Sequence, residues 1–211
     1  MCLVDGAPDC LGEEVLSLKL FTTVVGAGWN AELPSNRLPT AYGLYATGYF
    51  RACMALLHSG RDDTFVYPAV FAFRHGLELA LKSLARDFHV VGEAEELGKP
   101  NHPLGEIWKK VREPVNFYHG ELYFDSHTNL SPVELDGIIY ELDRTDAGSM
   151  AFRYPVSLDG KPYLQEFPVL NMAEFAETAA RVGEGVMVWV GWASERAETR
   201  KFEEWKRQKG E

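Results

Sequence analysis

The chain contains 211 residues, a length that suits one ordinary domain or one domain with a small appendage. With 46% hydrophobic and 25% charged residues, its composition is that of a globular protein and excludes wholesale disorder. The 21 Lys and Arg residues are outnumbered by 31 Asp and Glu residues, which gives a formal net charge of -10 at pH 7. An acidic chain is a poor generic binder of nucleic acids, because affinity for phosphate comes mainly from cations, but a local basic pocket is compatible with this charge.

The cysteines and the apolar segments indicate the cellular location. Cys2, Cys10 and Cys53 form no CxxC motif and leave one cysteine unpaired, which favours a reduced intracellular compartment. The first residues contain no basic segment followed by an apolar run, as a secretory signal would. The longest strongly apolar run, residues 186–190, is far shorter than the roughly 20 residues of a membrane-spanning helix. We therefore expect a cytoplasmic protein that makes no contact with a membrane.

The N-terminal 38 residues are expected to form a lead and a loop. Within them, residues 24–31 (VVGAGWNA) match the GxGxxA spelling of a dinucleotide-binding turn. Pro34 interrupts the helix that would have to follow, and the acidic residue expected about 20 positions later is missing. We therefore interpret this segment as a glycine-containing loop.

Residues 39–195 are expected to form one helical domain. Thr40 caps a first helix, which begins at Ala41 and is predicted to end near Ser59. A second helix begins just before Pro68, which is tolerated in a first turn, and continues to about His89.

Two further helices follow before a predicted β-hairpin. A third helix covers residues 104–111 and is predicted to stop at Pro114. Ser131 and Glu134 form a capping box, which begins a fourth helix that continues to about Leu142.

The last part of the chain is predicted to contain a hairpin and a long helix. Asp159 and Gly160 form a turn signal in the middle of a small hairpin near residues 151–167. Asn171 caps the last helix, whose charged end covers residues 196–211 and is expected to fray. The fold class is therefore predominantly all-α, a helical bundle with one small β-hairpin insert.

The second helix carries the candidate chemistry. Its apolar residues recur with helical spacing and predict one buried face: Val66, Val70, Phe73, Leu77, Leu81, Leu84 and Phe88. A polar stripe borders this face: Arg74, His75, Glu78 and Lys82. The predicted outer face then holds small or polar residues: Ala72, Gly76, Ser83 and Asp87. We therefore expect this second helix to lie at the centre of the bundle.

The polar stripe has two interpretations. Arg74, Glu78 and Lys82 follow the i, i+4, i+8 spacing of an ordinary row of surface salt bridges. The same residues would instead line a cleft if they bordered the core, where four ionisable groups are costly unless they have partners.

The order of several short motifs resembles the HEPN superfamily of helical domains. The motifs are Leu81-Lys82-Ser83-Leu84, then His102-Pro103-Leu104, then Phe152-Arg153-Tyr154-Pro155. HEPN domains usually have Asp where Pro103 stands. The resemblance covers about residues 40–195 and implies a helical bundle, often dimeric. Many members bind or cleave RNA in bacterial stress or defence systems, as ribonuclease toxins or phage-defence proteins. Others are non-catalytic partners of nucleotidyltransferases.

The ribonuclease members use an Arg, commonly followed by a polar residue, and a His that is separated from the Arg by four to six residues. Arg74 and His75 resemble the first half of this motif, but Leu79, Ala80 and Leu81 occupy the places of the second His. Arg51 and His58 also fit the spacing, although Ala follows the Arg and a chance pair is the simpler interpretation.

The resemblance and the residues together suggest a composite site. The expected catalytic residues are Arg74, His75, Glu78 and His102. The expected phosphate-binding residues are Lys82, Arg153 and Tyr154. For His102 the alternative is a helix cap before Pro103, and for Arg153 an ion pair with Asp143 or Glu78. We expect no metal and no cofactor.

Two functions remain open at this point. The first is an RNA-directed protein, either a metal-independent endoribonuclease or an RNA-binding component. The second is a non-catalytic interaction module that docks a nucleotidyltransferase, another partner protein or a nucleotide. The resemblance implies a homodimer in both cases.

Overall fold

A computed structural model describes most of the chain. The described residues are 41–60, 62–98, 103–120, 130–166 and 169–210. All described residues belong to one compact unit, which lies within Ser35–Glu211. The expectations for the N-terminal lead, including the GxGxxA segment, lie outside the described residues.

The described part of the chain is a bundle of α-helices, as the sequence predicts. The helices are α1 (Ala41–His58), α2 (Val66–Val90), α3 (Leu104–Gly120), α4 (Pro132–Asp146) and α5 (Met172–Lys209). A single 3-10 turn, Asp63–Phe65, leads into α2. None of the helices in the described ranges combines the length and the hydropathy of a bilayer-spanning segment.

Helix α2 is the centre of the bundle, because α1, α3 and α5 all pack against it. Phe73, Leu77 and Leu84 are buried, which confirms the predicted core face. The predicted outer face is wrong: its members Ala72, Gly76, Ser83 and Asp87 are buried as well. Small side chains at these positions let neighbouring helices approach closely, so α2 is covered on this side too.

Phe50 of α1 fits into the space left by two glycines on different helices. A Cβ atom added at Gly76 of α2 would lie 3.1 Å from Cδ1 of Phe50, and one added at Gly183 of α5 would lie 3.3 Å from the same atom. These contacts are tighter than ordinary van der Waals packing, so a larger residue at either position has to displace Phe50 by a few tenths of an ångström.

Helix α3 is longer than the sequence suggests. The predicted stop at Pro114 is wrong, because the helix continues to Gly120 with the proline inside it. Proline removes one backbone hydrogen bond, a local cost that tertiary packing can offset. Val111 and Val115 are fully buried on either side of Pro114, and their packing keeps both halves helical.

The predicted β-hairpin near residues 151–167 is also wrong. The described residues of this segment form one isolated antiparallel bridge, between Val156 and Pro162, and no strand. Tyr163 donates its N–H to the carbonyl of Pro155 at 3.1 Å. Pro155 and Pro162 have no N–H to donate, so the ladder cannot extend beyond this bridge.

The caps predicted for the last two helices are confirmed. Ser131 and Glu134 form a complete capping box at the start of α4, and the Asn171 side chain accepts the N–H groups of Ala173 and Glu174 at the start of α5. Helix α5 continues unbroken to Lys209, where Gly210 ends it in the left-handed conformation at φ 73°.

The last buried residue of α5 is Ala197. We call residues 198–209 the C-terminal arm.

Candidate functional site

Three of the predicted site residues form an ion network inside the bundle. Arg74 Nη1 donates to Glu78 Oε2 at 3.3 Å, and Lys82 Nζ donates to Glu78 Oε1 at 2.6 Å. The side chains of Arg74, Glu78 and Lys82 are 0%, 2% and 12% exposed. The interpretation as a surface salt-bridge row is therefore wrong in its location, although the spacing of the pairs is as predicted.

Asp143 of α4 joins this network to the start of α3. Its carboxylate accepts the N–H groups of Leu104 at 3.0 Å and Gly105 at 2.7 Å, and thereby caps the positive end of that helix. One oxygen also lies 3.9 Å from Arg74 Nη2, which donates to the carbonyl of Ala147 at 3.3 Å. Arg74 and Asp143 together hold α2, α3 and α4 in a fixed arrangement.

His75 lies at the edge of the network and is the part that reaches solvent. Its ring is stacked on Phe71 at 5.5 Å between centroids, and Tyr49 meets it edge-on at 4.5 Å. The imidazole Nδ1 lies 4.0 Å from Glu78 Oε2, and the side chain is 29% exposed.

The environment of His75 favours the neutral imidazole. Burial lowers its pKa most, and the positive charges of Lys82, Arg74 and Arg153 act in the same direction, while Glu78 opposes them. A neutral imidazole at pH 7 is able to accept a proton, which is what a general base requires.

Arg153 lies between two aromatic rings. Its guanidinium carbon is 5.5 Å from the centroid of Phe71 and 5.4 Å from that of Tyr154. Arg153 therefore joins Tyr154 to the stacked pair of Phe71 and His75, and we call these four residues the aromatic ladder. Arg153 and Tyr154 are exposed, so one end of the ladder faces solvent.

A tight turn after α4 places Arg153 on the ladder. One carboxylate oxygen of Asp146 accepts the N–H groups of Met150 and Ala151 at 2.6 and 2.9 Å. The N–H groups of Arg153 and Tyr154 then both donate to the carbonyl of Met150 at 3.0 Å. This turn fixes the position of Arg153, a predicted site residue.

Arg153 has no anionic partner among the described residues. The described residues contain no side-chain hydrogen bond and no ion pair of Arg153, whereas Arg112 is bound to Asp136 at 2.6 Å and Arg181 to Glu134 at 2.8 Å. The alternative in which Arg153 pairs with Asp143 or Glu78 is not what the structure has: Arg74 lies next to both carboxylates.

The predicted site therefore divides into two parts. Arg74, Glu78 and Lys82 are largely buried and satisfy one another, whereas His75, Arg153 and Tyr154 lie together where solvent reaches them. His102 lies outside the described residues, so its expected proximity to Arg74 stays a prediction.

Phe71 of the ladder and the neighbouring Tyr49 were missed in the sequence. Phe71 lies four residues before His75, a spacing that places both on one side of a helix and was a usable signal. Tyr49 comes from another helix, and no local pattern points to it. The competing pair, Arg51 and His58, is exposed on α1, apart from this set of contacts.

A second cluster, also missed in the sequence, joins the ends of α2, α3 and α5. Arg196 Nη2 donates to Glu93 Oε1 and to the Tyr118 hydroxyl, both at 2.7 Å. Its guanidinium lies 4.7 Å from the ring centroids of both Tyr118 and Trp192. Burial, followed by the hydrogen bond and the charge of Glu93, raises the pKa of Tyr118 to about 12. Arg196 thus connects the segment after α2, the end of α3 and α5 through two hydrogen bonds, which indicates a structural role for the cluster.

The arrangement of His75, Arg153 and Tyr154 has to be interpreted from its own geometry. The resemblance to HEPN domains stays a prediction drawn from the sequence. No family model, no curated protein and no solved structure matches this chain.

Proposed function

We propose that this chain is an RNA-directed protein of the HEPN type, and that the aromatic ladder is where it binds single-stranded RNA. Arg153 would bind a backbone phosphate, and Tyr154 would stack against an unpaired base. The observation that carries the proposal is the position of Arg153, which is exposed and held between Phe71 and Tyr154 without an anionic partner among the described residues.

The chemistry of Arg153 suits a phosphate. A guanidinium presents a planar fork of N–H donors that matches two phosphate oxygens. Contact with two rings restricts the side chain of Arg153 before the ligand arrives, so less side-chain freedom is lost on binding.

The exposed ring of Tyr154 supports a single-stranded ligand. Its residue is 46% exposed, and unpaired bases stack on exposed aromatic faces with little preference for sequence. Bases in a duplex are already stacked and cannot reach such a ring. The net charge of -10 agrees with a small local contact, because a wide electrostatic surface for duplex would need many more cations.

The position of His75 favours cleavage as a second step at the same place. Its lowered pKa provides a neutral imidazole that could take the proton from a ribose 2′-hydroxyl. Arg153 would stabilise the charge that develops on the phosphate. Glu78 and Arg74 act as positioning residues and not as catalytic ones, because they are buried and paired with each other. A role in a bacterial stress or defence system follows from the HEPN resemblance.

The proposal is tested by fluorescence anisotropy with a labelled single-stranded RNA of about 12 nucleotides and its duplex form. We expect the single strand to bind more tightly. Arg153→Ala and Tyr154→Ala should each weaken binding about 10-fold or more, since one stacked base contributes about 1–3 kcal/mol. Arg200→Ala, which removes an exposed arginine paired with Glu204, is the matched control and should have no effect.

Failure to bind RNA, or an equal loss with Arg200→Ala, would reject the RNA proposal. The alternative is a non-catalytic module that docks a nucleotidyltransferase, another partner protein or a nucleotide through the same residues, which the acidic charge and the absent second His favour. In that case purified partner or nucleotide should bind wild-type protein and bind Arg153→Ala less well, with RNA left unbound.

A further inference from the structure

The C-terminal arm extends α5 beyond the packed part of the bundle. Its 12 residues correspond to about 18 Å of helix. In the described part of the chain, no residue of the arm is buried, and its largest apolar side chains, Phe202 and Trp205, are 54% and 47% exposed. Their rings are stacked on each other with centroids 6.0 Å apart.

The arm is a complete helix despite this exposure. The N–H of Gly210 donates to the carbonyl of Arg207 and closes the last turn. Short helices gain most of their stability from packing an apolar face, which the arm does not do within the described chain. An exposed aromatic pair on such a helix is typical of a contact with another molecule.

Four arm residues form one narrow face. Glu198, Phe202, Trp205 and Lys209 are separated by four, three and four residues, the alternation of a coiled-coil seam. At about 100° per residue they lie within about 60° of one another. Arg207 lies on the opposite side of the helix, at about 180° from Glu198.

We propose that this face binds the same face of a second copy of the chain, with the two arms antiparallel. An antiparallel pair places Phe202 of each arm opposite Trp205 of the other, so four aromatic rings meet at the centre. The same register places Lys209 of each arm opposite Glu198 of the other. The face is thus complementary to itself, as a two-fold symmetric contact requires.

The charges select this orientation. Two parallel arms in register would place Glu198 against Glu198 and Lys209 against Lys209, and both contacts are repulsive. Antiparallel arms turn both contacts into opposite-charge pairs. Within one arm Glu198 already accepts from Lys201 at 2.9 Å, and a carboxylate can accept from a second cation as well.

The strength of the contact follows from its size. Stable specific interfaces bury about 1,200–2,000 Å² in total, and two arms of 12 residues are at or below the low end of this range. We therefore expect a reversible dimer that dissociates on dilution. This proposal is independent of RNA binding, because the arm shares no residue with the aromatic ladder.

Sedimentation equilibrium of the full chain, at concentrations from about 1 to 500 μM, tests the proposal. We expect a monomer–dimer equilibrium that Phe202→Glu weakens at least 10-fold. Glu198→Lys and Lys209→Glu should each weaken it, because each puts like charges opposite each other. The double variant should recover dimerisation, since it exchanges the partners and restores both pairs. Arg207→Glu is the matched control on the opposite side and should leave the equilibrium unchanged.

Circular dichroism on each variant shows whether the helix is intact, so a loss of folding cannot be mistaken for a loss of contact. A chain that stays monomeric at 500 μM overturns the proposal. A dimer that withstands Phe202→Glu shows that another surface holds it and also overturns the proposal. A double charge variant no better than the single ones rejects the antiparallel register.

Discussion

Arg74 and Glu78 form an ion pair 3.3 Å long in the interior of the bundle, with their side chains 0% and 2% exposed. Two charges in such a place are stable only while each neutralises the other and their remaining polar atoms have partners. Lys82 and Asp143 complete the set on either side, so removal of any one charge leaves another without compensation.

Arg74→Ala is expected to lower the free energy of unfolding by about 3–5 kcal/mol, because it leaves the buried carboxylate of Glu78 with less compensation. Urea unfolding followed by circular dichroism measures this loss. Arg200→Ala breaks an exposed pair of the same i, i+4 spacing and should cost less than about 1 kcal/mol. Equal losses for both variants would contradict the assignment of Arg74 to the core.

Leu77→Ala is expected to lower the free energy of unfolding by about 2–5 kcal/mol. Leu77 is 0% exposed at the centre of α2, so its truncation leaves a cavity as well as losing buried apolar surface. Leu158 is fully exposed, and Leu158→Ala provides the matched truncation at the surface, with an expected change of about 0.5 kcal/mol or less. A loss of unfolding free energy as small as that of Leu158→Ala would contradict the placement of Leu77 in the core.

Stability is expected to fall as the pH is lowered through about 6.5, the ordinary pKa of histidine. The folded chain lowers the pKa of His75, mainly by burial, so between the two pKa values the unfolded chain binds the proton more readily. The urea midpoint of wild-type protein should therefore drop between pH 7.5 and pH 5.5. His75→Gln removes this titration and should show a smaller drop, and an unchanged drop would contradict the shift.

Any RNA cleavage is expected to withstand EDTA, because the site offers an imidazole and a guanidinium as its proton-transfer and charge-stabilising groups. His75→Ala and His102→Ala should each slow cleavage by about 10²–10⁴-fold in a gel assay with total RNA. Arg51→Ala and His58→Ala test the competing pair on α1. If only these two substitutions abolish cleavage, the catalytic assignment moves to α1. If the wild-type protein leaves RNA intact, only the binding function remains.

The sequence predicted those parts of the fold that depend on local signals. The capping box at Ser131 and the cap at Asn171 are contacts within three residues, so they can be recognised without a neighbour. The helix end predicted at Pro114 is wrong because the local cost of the proline is offset by packing. Val111 and Val115, on either side of it, are buried in the core of the bundle.

The candidate site was predictable in its composition and less so in its arrangement. Periodicity placed Arg74, His75 and Glu78 on one stripe, but it treated Ser83 and Asp87 as exposed because it could not show that helices cover α2 on every side. The stacking of Arg153 on Phe71 joins residues 82 positions apart, and only the tertiary structure reveals it.

The packing of Phe50 against Gly76 and Gly183 connects helix α5 to the surroundings of His75. Tyr49, the neighbour of Phe50 in the chain, provides the ring that meets His75 edge-on. A methyl group added to Gly183 would lie 3.3 Å from the Phe50 ring, so Phe50 has to shift by a few tenths of an ångström to accept it. If α1 moves with Phe50, Tyr49 moves relative to the imidazole, and the NMR chemical shifts of His75 report how closely α5 packs against α1.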